Sequence, residues 1–254
     1  MRNGNENNKK AMQVEDLYNY GKDIYSMREN SQVPPLEKLK LLPAFVSYFG
    51  NLIGALGLPG LLALRRESLR EFEHWRQQDW SHLLERGLSQ ENLERILMEM
   101  STAKVMAGAL GLKKAAHLRR RLSSRVANAI LQAVFAPPEV FIALGDGDFL
   151  PPFKKYYAAL LSAMEREGLQ AGKIVEDNPD LLQINITYCA WAEIAKVLGN
   201  PLYCYYSTCY GDEIYFPKLA AAGGFQFERY GTLGQGESSC DHRFRRANAE
   251  LDTR

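Results

Sequence analysis

The first 188 residues contain no cysteine, and all four thiols (Cys189, Cys204, Cys209 and Cys240) come after them. No Cys-x-x-Cys pair occurs. The closest spacing, Cys204 to Cys209, does not match the usual thiolate–zinc patterns. Histidine is scarce too. His74, His82 and His117 stand alone on helical segments, with no His-x-x-x-His pair to mark a helical metal site. Neither charge sign dominates: the formal net charge is +1, which removes any whole-chain electrostatic case for nucleic acid. Residues 1–10 are Asn-rich and polar, with no apolar run after a basic start, so no secretory signal is expected. On that reading the protein is cytoplasmic and its cysteines are thiols, thiolates or metal ligands rather than disulfides.

Charge is absent altogether from Leu41–Leu64. That length could cross a bilayer, but Pro43, Gly50, Gly54, Gly57, Pro59 and Gly60 punctuate it. The expectation is a buried or interfacial helical hairpin turning at Gly57-Leu58-Pro59-Gly60, and membrane contact through 41–64 is the less favoured alternative.

What is present before residue 170 is helix after helix. Val14, Leu17, Tyr18, Ile24 and Tyr25 recur at helical spacing over about 11–29. A long helix follows from Leu61 toward Gly87. Ser89 is placed to cap the next, whose periodic residues are Leu93, Ile96, Leu97 and Met100 and which Gly111 closes. Lys113-Lys114 and Arg119-Arg120-Arg121 read as a solvated helix face, with a phosphate or lipid site as the weaker alternative. A helix through Val126, Ile130, Leu131 and Val134 leads to Pro137-Pro138. Gly145-Asp146-Gly147-Asp148 is a turn, Pro151-Pro152 opens another helix, and a polar linker with Gly172 and Pro179 follows. The organisation is therefore a tail (1–10), a helical region (11–170), a small α/β unit (180–246) and a second tail (247–254).

The α/β unit holds the clearest strand patterns. Leu182–Cys189 alternates, with Leu182, Ile184, Ile186 and Tyr188 on one face and Gln183, Asn185, Thr187 and Cys189 on the other. Phe225–Tyr230 and Ser239–Arg245 read as strands of a hairpin joined through Gly231–Gly236. In a regular strand Cys240, His242 and Phe244 face one way, and Asp241, Arg243 and Arg245 the other. Cys209 and Asp212 are three apart, so one helical turn sets thiol beside carboxylate. The fold class is α+β: a mostly helical N-terminal part packed on a small C-terminal α/β unit with an antiparallel hairpin.

The succession Asn185-x-Thr187-x-Cys189, Cys209-x-x-Asp212, Thr232-Leu233 with Gly236, and Cys240-Asp241-x-Arg243-Phe244 resembles the L-2-amino-thiazoline-4-carboxylic acid hydrolase family. One departure is His242, where the family commonly has an aromatic residue. The resemblance implies hydrolysis of a non-peptide carbon–nitrogen bond in a small heterocycle, the named reaction opening a thiazoline ring to an N-carbamoyl cysteine. Chemistry of that type needs a nucleophile, a proton donor and a carboxylate anchor. Cys209 or Cys240 supplies the first, Asp212 or Asp241 the second, and Arg243, through its planar guanidinium, the third. Asn185, Thr187 and Cys189 complete the candidate binding residues. No metal or cofactor is assigned, with zinc held by the cysteines as the rival arrangement. The alternative function is a non-catalytic small-molecule- or metal-binding module, in which the thiols are buried small hydrophobes.

Overall fold

The computed structural model describes residues 35–121 and 137–247. The helix expected over 11–29, the run through Val126, Ile130, Leu131 and Val134, and nearly all of both tails lie outside those residues. Helix α1 spans Pro35–Arg76 and is interrupted at Gly57, whose φ of 67° and ψ of 168° are not helical. Pro59 then sits in the first turn of the restarted helix, where its missing N–H costs nothing. The long helix ends at Arg76, short of Gly87. There Trp80 donates from Nε1 to the Trp75 carbonyl (2.8 Å), and a short α2 (Ser81–Leu84) follows. Helix α3 (Gln90–Leu110) starts as expected: the Ser89 hydroxyl accepts the Asn92 N–H. Helix α4 covers 112–121, α5 is Pro138–Leu144, and α6 is Leu150–Arg166 with proline in its first turn.

Four antiparallel strands form one sheet in the order β1-β2-β4-β3: β1 (Gln170–Asp177), β2 (Leu181–Cys189), β3 (Phe225–Glu228) and β4 (Cys240–Arg246). Between β2 and β3 run α7 (Ala190–Val197), the single turn α8 (Leu202–Cys204), a π-helical turn (Tyr205–Cys209) and α9 (Tyr210–Ala222). The chain is thus α+β, with the hairpin where the alternation put it. Strand β4 is central, pairing with β2 on one side and β3 on the other.

The inner sheet face packs on the helices through aromatic rings. On α6, Phe153, Tyr156, Tyr157, Leu160, Leu161 and Met164 recur at three- and four-residue steps and are all buried. Phe153 lies 4.8 Å from the Phe244 ring of β4, and Phe149 lies 6.0 Å from Phe225 of β3. One core runs from Phe72 through Ile96, Leu97 and Met100 to Ile184 and Phe244, joining helical layer and sheet.

Three expectations are corrected here. The uncharged stretch is not a buried hairpin: Leu42, Val46, Phe49, Ile53, Leu58 and Leu62 are all exposed. Part of the polar linker is the edge strand β1. Bulges between Ala171 and Gly172 and between Ile174 and Glu176 scramble its alternation, so periodicity does not reveal it. At Gly172 a side chain would meet the Asn185 carbonyl oxygen at 2.5 Å, so glycine lets β2 come close. Finally, the arginine run is not simply a solvated face: Arg119 is buried, and Arg120 pairs with Glu213 (3.3 Å) and covers the Tyr210 ring.

Candidate functional site

The four cysteines are brought to one place by β2, β4 and the π-helical turn. In an α-helix residues five apart point to different sides, but a wider π turn brings them closer to alignment. Cys204 Sγ and Cys209 Sγ are consequently 3.5 Å apart. Cys189 ends β2 and precedes α7. There the alternation breaks, and its side chain turns inward instead of joining the polar face. The Cys204 S–H donates to its sulfur, and the Trp191 and Ala192 N–H groups at the start of α7 also face it. Despite burial, these contacts hold the Cys189 thiol below its usual range. Donation to Cys189, contact with Cys209 and burial push Cys204 up.

Cys240 opens β4 and accepts the Leu233 N–H at 3.3 Å. That contact comes from a short 3-10 turn (Leu233–Gln235), capped by Thr232, whose hydroxyl accepts the Gln235 N–H. Gly234 lies so close to the π turn that a Cβ would stand 2.9 Å from the Tyr205 nitrogen. The Thr232-Leu233 landmark is therefore the piece that clamps β4 onto the π turn. Burial, together with neighbouring Cys209, pushes the Cys240 thiol up, so it stays protonated.

Asp212 follows Cys209 by one turn on α9. Its Oδ2 accepts from Arg229 Nη1 at 2.8 Å and lies 3.5 Å from His242 Nε2. Burial outweighs the Arg229 charge and raises this carboxyl to about 6, with Glu213 adding to the rise. Arg229, whose side chain is only 4 % exposed, also donates from Nη2 to the Cys209 carbonyl (3.0 Å) and to Glu213 Oε1 (2.9 Å). The Tyr205 hydroxyl donates to the same Glu213 oxygen at 2.7 Å. Burial and that carboxylate push the tyrosine up to about 12. His242 is buried among Phe216, Phe227 and Tyr157, and burial, with the Arg229 charge, lowers it to about 3. Its ring is neutral at pH 7. With the proton on Nε2, the Tyr157 hydroxyl donates to Nδ1 at 2.7 Å and the N–H faces Asp212. Among the described residues Nε2 has no hydrogen-bond partner.

The structure thus divides the nominated residues into two groups. Cys189, Cys209, Asp212 and Cys240 meet on the inner side, with His242. Asn185, Thr187, Asp241 and Arg243 lie on the outer face of the sheet, where Asn185 is opposite Asp241 and Gln183 opposite Arg243. Asp241 accepts the Tyr230 and Gly231 N–H groups (2.9 Å each) and pairs with Arg243 at 3.3 Å, while Arg243 covers the Tyr230 ring. Thr187 is exposed and Asn185 accepts from Gln183. These contacts finish the β3–β4 connection and leave Asp241 and Arg243 away from the thiols. Sequence reasoning missed Arg229, Glu213, Tyr205 and Tyr157. Glu213 adjoins Asp212 and was within reach of a charge-pattern argument, but Tyr157 arrives from α6 with no local signal. Among the described residues no group of three or more His, Cys, Asp or Glu side chains is arranged to hold a metal ion. A small pocket lined by Ala103, Ala107, Leu112, Ala116, Arg119 and Tyr206 includes none of these site groups.

Fold and site together define an α+β protein with a centre of buried thiols and a partly exposed carboxylate, set between a π-helical turn and the central strand of a small sheet. The model of the L-2-amino-thiazoline-4-carboxylic acid hydrolase family matches residues 85–244. The chain belongs to that family. The match starts in the helical layer, well before the segment that carries the motifs. Comparison with the curated proteins and with the solved structures gives no match.

Proposed function

We propose that this protein is a hydrolase acting at the amidine-type carbon of a small ring, of the kind found in a 2-amino-thiazoline carboxylate, with Cys209 as nucleophile and Asp212 as its acid/base partner. The observation that supports this best is the meeting of buried Cys209, Cys240 and His242 with the partly exposed Asp212 within a family named for such a reaction. Among the two nominated nucleophiles, Cys240 is held protonated, whereas Cys209 stands one turn from a carboxyl that titrates close to neutrality.

The Asp212 carboxylate takes the Cys209 proton, the sulfur adds to the ring carbon, and the C=N electron pair moves to nitrogen, which receives that proton from Asp212. Collapse expels the ring sulfur as a thiolate and leaves an isothiourea on Cys209. Water then adds with Asp212 as base, Cys209 departs, and the product is an N-carbamoyl cysteine. Expulsion of the ring nitrogen instead would break a carbon–nitrogen bond and give the S-carbamoyl isomer. The product therefore reports which bond opens. A free thiol marks the first route and a free amine the second.

The deciding experiment is turnover of 2-amino-thiazoline-4-carboxylate by Cys209→Ser, Cys240→Ser and Cys189→Ser, with the product identified by mass and thiol titration. Cys209→Ser should lose at least about a hundredfold in kcat/KM, and Cys240→Ser should keep most of it. Full activity in Cys209→Ser would sink the nucleophile assignment. Loss confined to Cys189→Ser would move the role to the thiol at the start of α7. No turnover by the unaltered protein would remove this substrate class.

A further inference from the structure

The uncharged arm of α1 takes no part in the thiol–carboxylate centre. Leu42, Val46, Phe49 and Ile53 recur at steps of four, three and four, forming one stripe, and Leu58 and Leu62 extend the apolar surface past the Gly57 break. Their exposures run from 44 % at Ile53 to 63 % at Val46. Among the described residues, Gly50 and Gly54, beside the stripe, have no neighbour within 4 Å of where a side chain would begin. The most apolar window of Val46–Arg76 has mean hydropathy 1.4, and 6 % of it is buried within the protein. A surface of that kind exposed to water is unfavourable, so something covers it.

Three features favour lipid over a protein partner. Protein interfaces carry a polar rim, but Leu41–Leu64 has no charged side chain to supply one. Its one amide side chain, Asn51, donates to the Ser47 carbonyl of its own helix at 2.7 Å, the kind of internal satisfaction that hydrocarbon demands. Basic residues bracket the stretch, Lys38 and Lys40 before it and Arg65 and Arg66 after it. The Arg66 side chain is 66 % exposed, and although Glu67 pairs with Arg66 and Arg70, positive charge remains in excess there. Long basic side chains at such a boundary reach anionic headgroups while their stems stay in the apolar layer. The helical part from Leu41 to Leu56 is about 24 Å long at 1.5 Å per residue, less than a hydrocarbon core of about 30 Å. The Gly57 break then turns the helix rather than letting it cross as one rod. We propose that residues 41–64 dock this protein on an anionic phospholipid bilayer, the apolar stripe entering the acyl layer and Arg65 and Arg66 meeting the headgroups.

The test is flotation of the full chain with vesicles of phosphatidylcholine alone or with a minor fraction of phosphatidylglycerol. The unaltered protein should float with the mixed vesicles. Phe49→Glu/Ile53→Glu should bind more than about tenfold more weakly, since each carboxylate would enter the acyl layer. Both positions are exposed, so circular dichroism and the melting temperature should be unchanged. Arg65→Ser/Arg66→Ser should weaken binding to the mixed vesicles and leave binding to phosphatidylcholine as it was. Unaltered protein remaining at the bottom, or the double glutamate variant floating equally well, would overturn the proposal. So would a lipid-free dimer that the glutamates dissociate, because a second copy would then be the occupant.

Discussion

At Asp212 two opposing effects are balanced, and burial prevails. The Arg229 guanidinium at 2.8 Å stabilises the carboxylate, yet loss of water and the neighbouring Glu213 bring the group to about 6. If Asp212 accepts the Cys209 proton, it must start ionised, so kcat/KM should rise with pH through a midpoint near 6 and then level off. Asp212→Asn should abolish that limb together with most of the activity, as a pH–rate profile of both proteins would show. His242 affects stability. Its folded value of about 3 is below the ordinary 6.5, so between those values the unfolded chain binds the extra proton and acidification favours unfolding. Asp212 works in the opposite direction, because its raised carboxyl takes up a proton first in the folded state. Replacing His242 by Phe, which restores an aromatic residue there, removes only the first effect. Relative to the unaltered protein, His242→Phe should therefore gain about 3 kcal/mol as pH falls from 6.5 to 4. Urea unfolding at the two pH values measures it, and parallel curves would show that His242 is not held neutral.

Among the elements, the π-helical turn and the 3-10 turn matter most to the site. The first sets Cys204 beside Cys209, and the second holds Cys240 against them through the Leu233 N–H. Their close approach depends on Gly234, so Gly234→Ala forces the two turns apart at backbone atoms that cannot swing away. Activity should drop by about tenfold or more, with a stability loss on the order of 1–3 kcal/mol. Kinetics beside thermal melting separates the two, and unchanged activity would show that the clamp does not position the centre. How far each element could be read depended on its periodicity. Strand β2, strand β4 and the Ser89-capped α3 follow simple rules of alternation and capping and were legible. Strand β1 carries two bulges, so its residues do not alternate. The alternation of β4 separates Cys240 from Asp241 and Arg243, and the structure adds which face meets Asp212. Cys189 departs from the same logic because a strand ends and a helix begins at that residue.

For the whole molecule, a single core joins the helical layer to the sheet, and α6 is its axis. Phe153 is fully buried against Phe141, Phe149, Tyr157 and Phe244. Phe153→Ala should cost about 3–5 kcal/mol. Because the ring touches both layers, tryptophan fluorescence and far-ultraviolet dichroism should shift to the same lower midpoint. Separate midpoints would mean that the layers unfold independently. The exposed arm of α1 lies outside this core, which suits a segment that meets a bilayer apart from the thiol–carboxylate centre.

The sequence by itself determined the α+β class, the hairpin and the split of the Cys240–Arg245 run. Each follows from local spacing, which fixes the direction of a side chain once the element type is known. The sequence also carried the family resemblance. Only the tertiary structure decided that four thiols meet, that Arg229 and Tyr157 bind Asp212 and His242 beside them, and that Asp241 and Arg243 stay outside. It also decided that the apolar stripe of the arm stays exposed among the described residues. Those outcomes rest on contacts between segments up to 85 positions apart, such as Tyr157 with His242, and no local pattern encodes them.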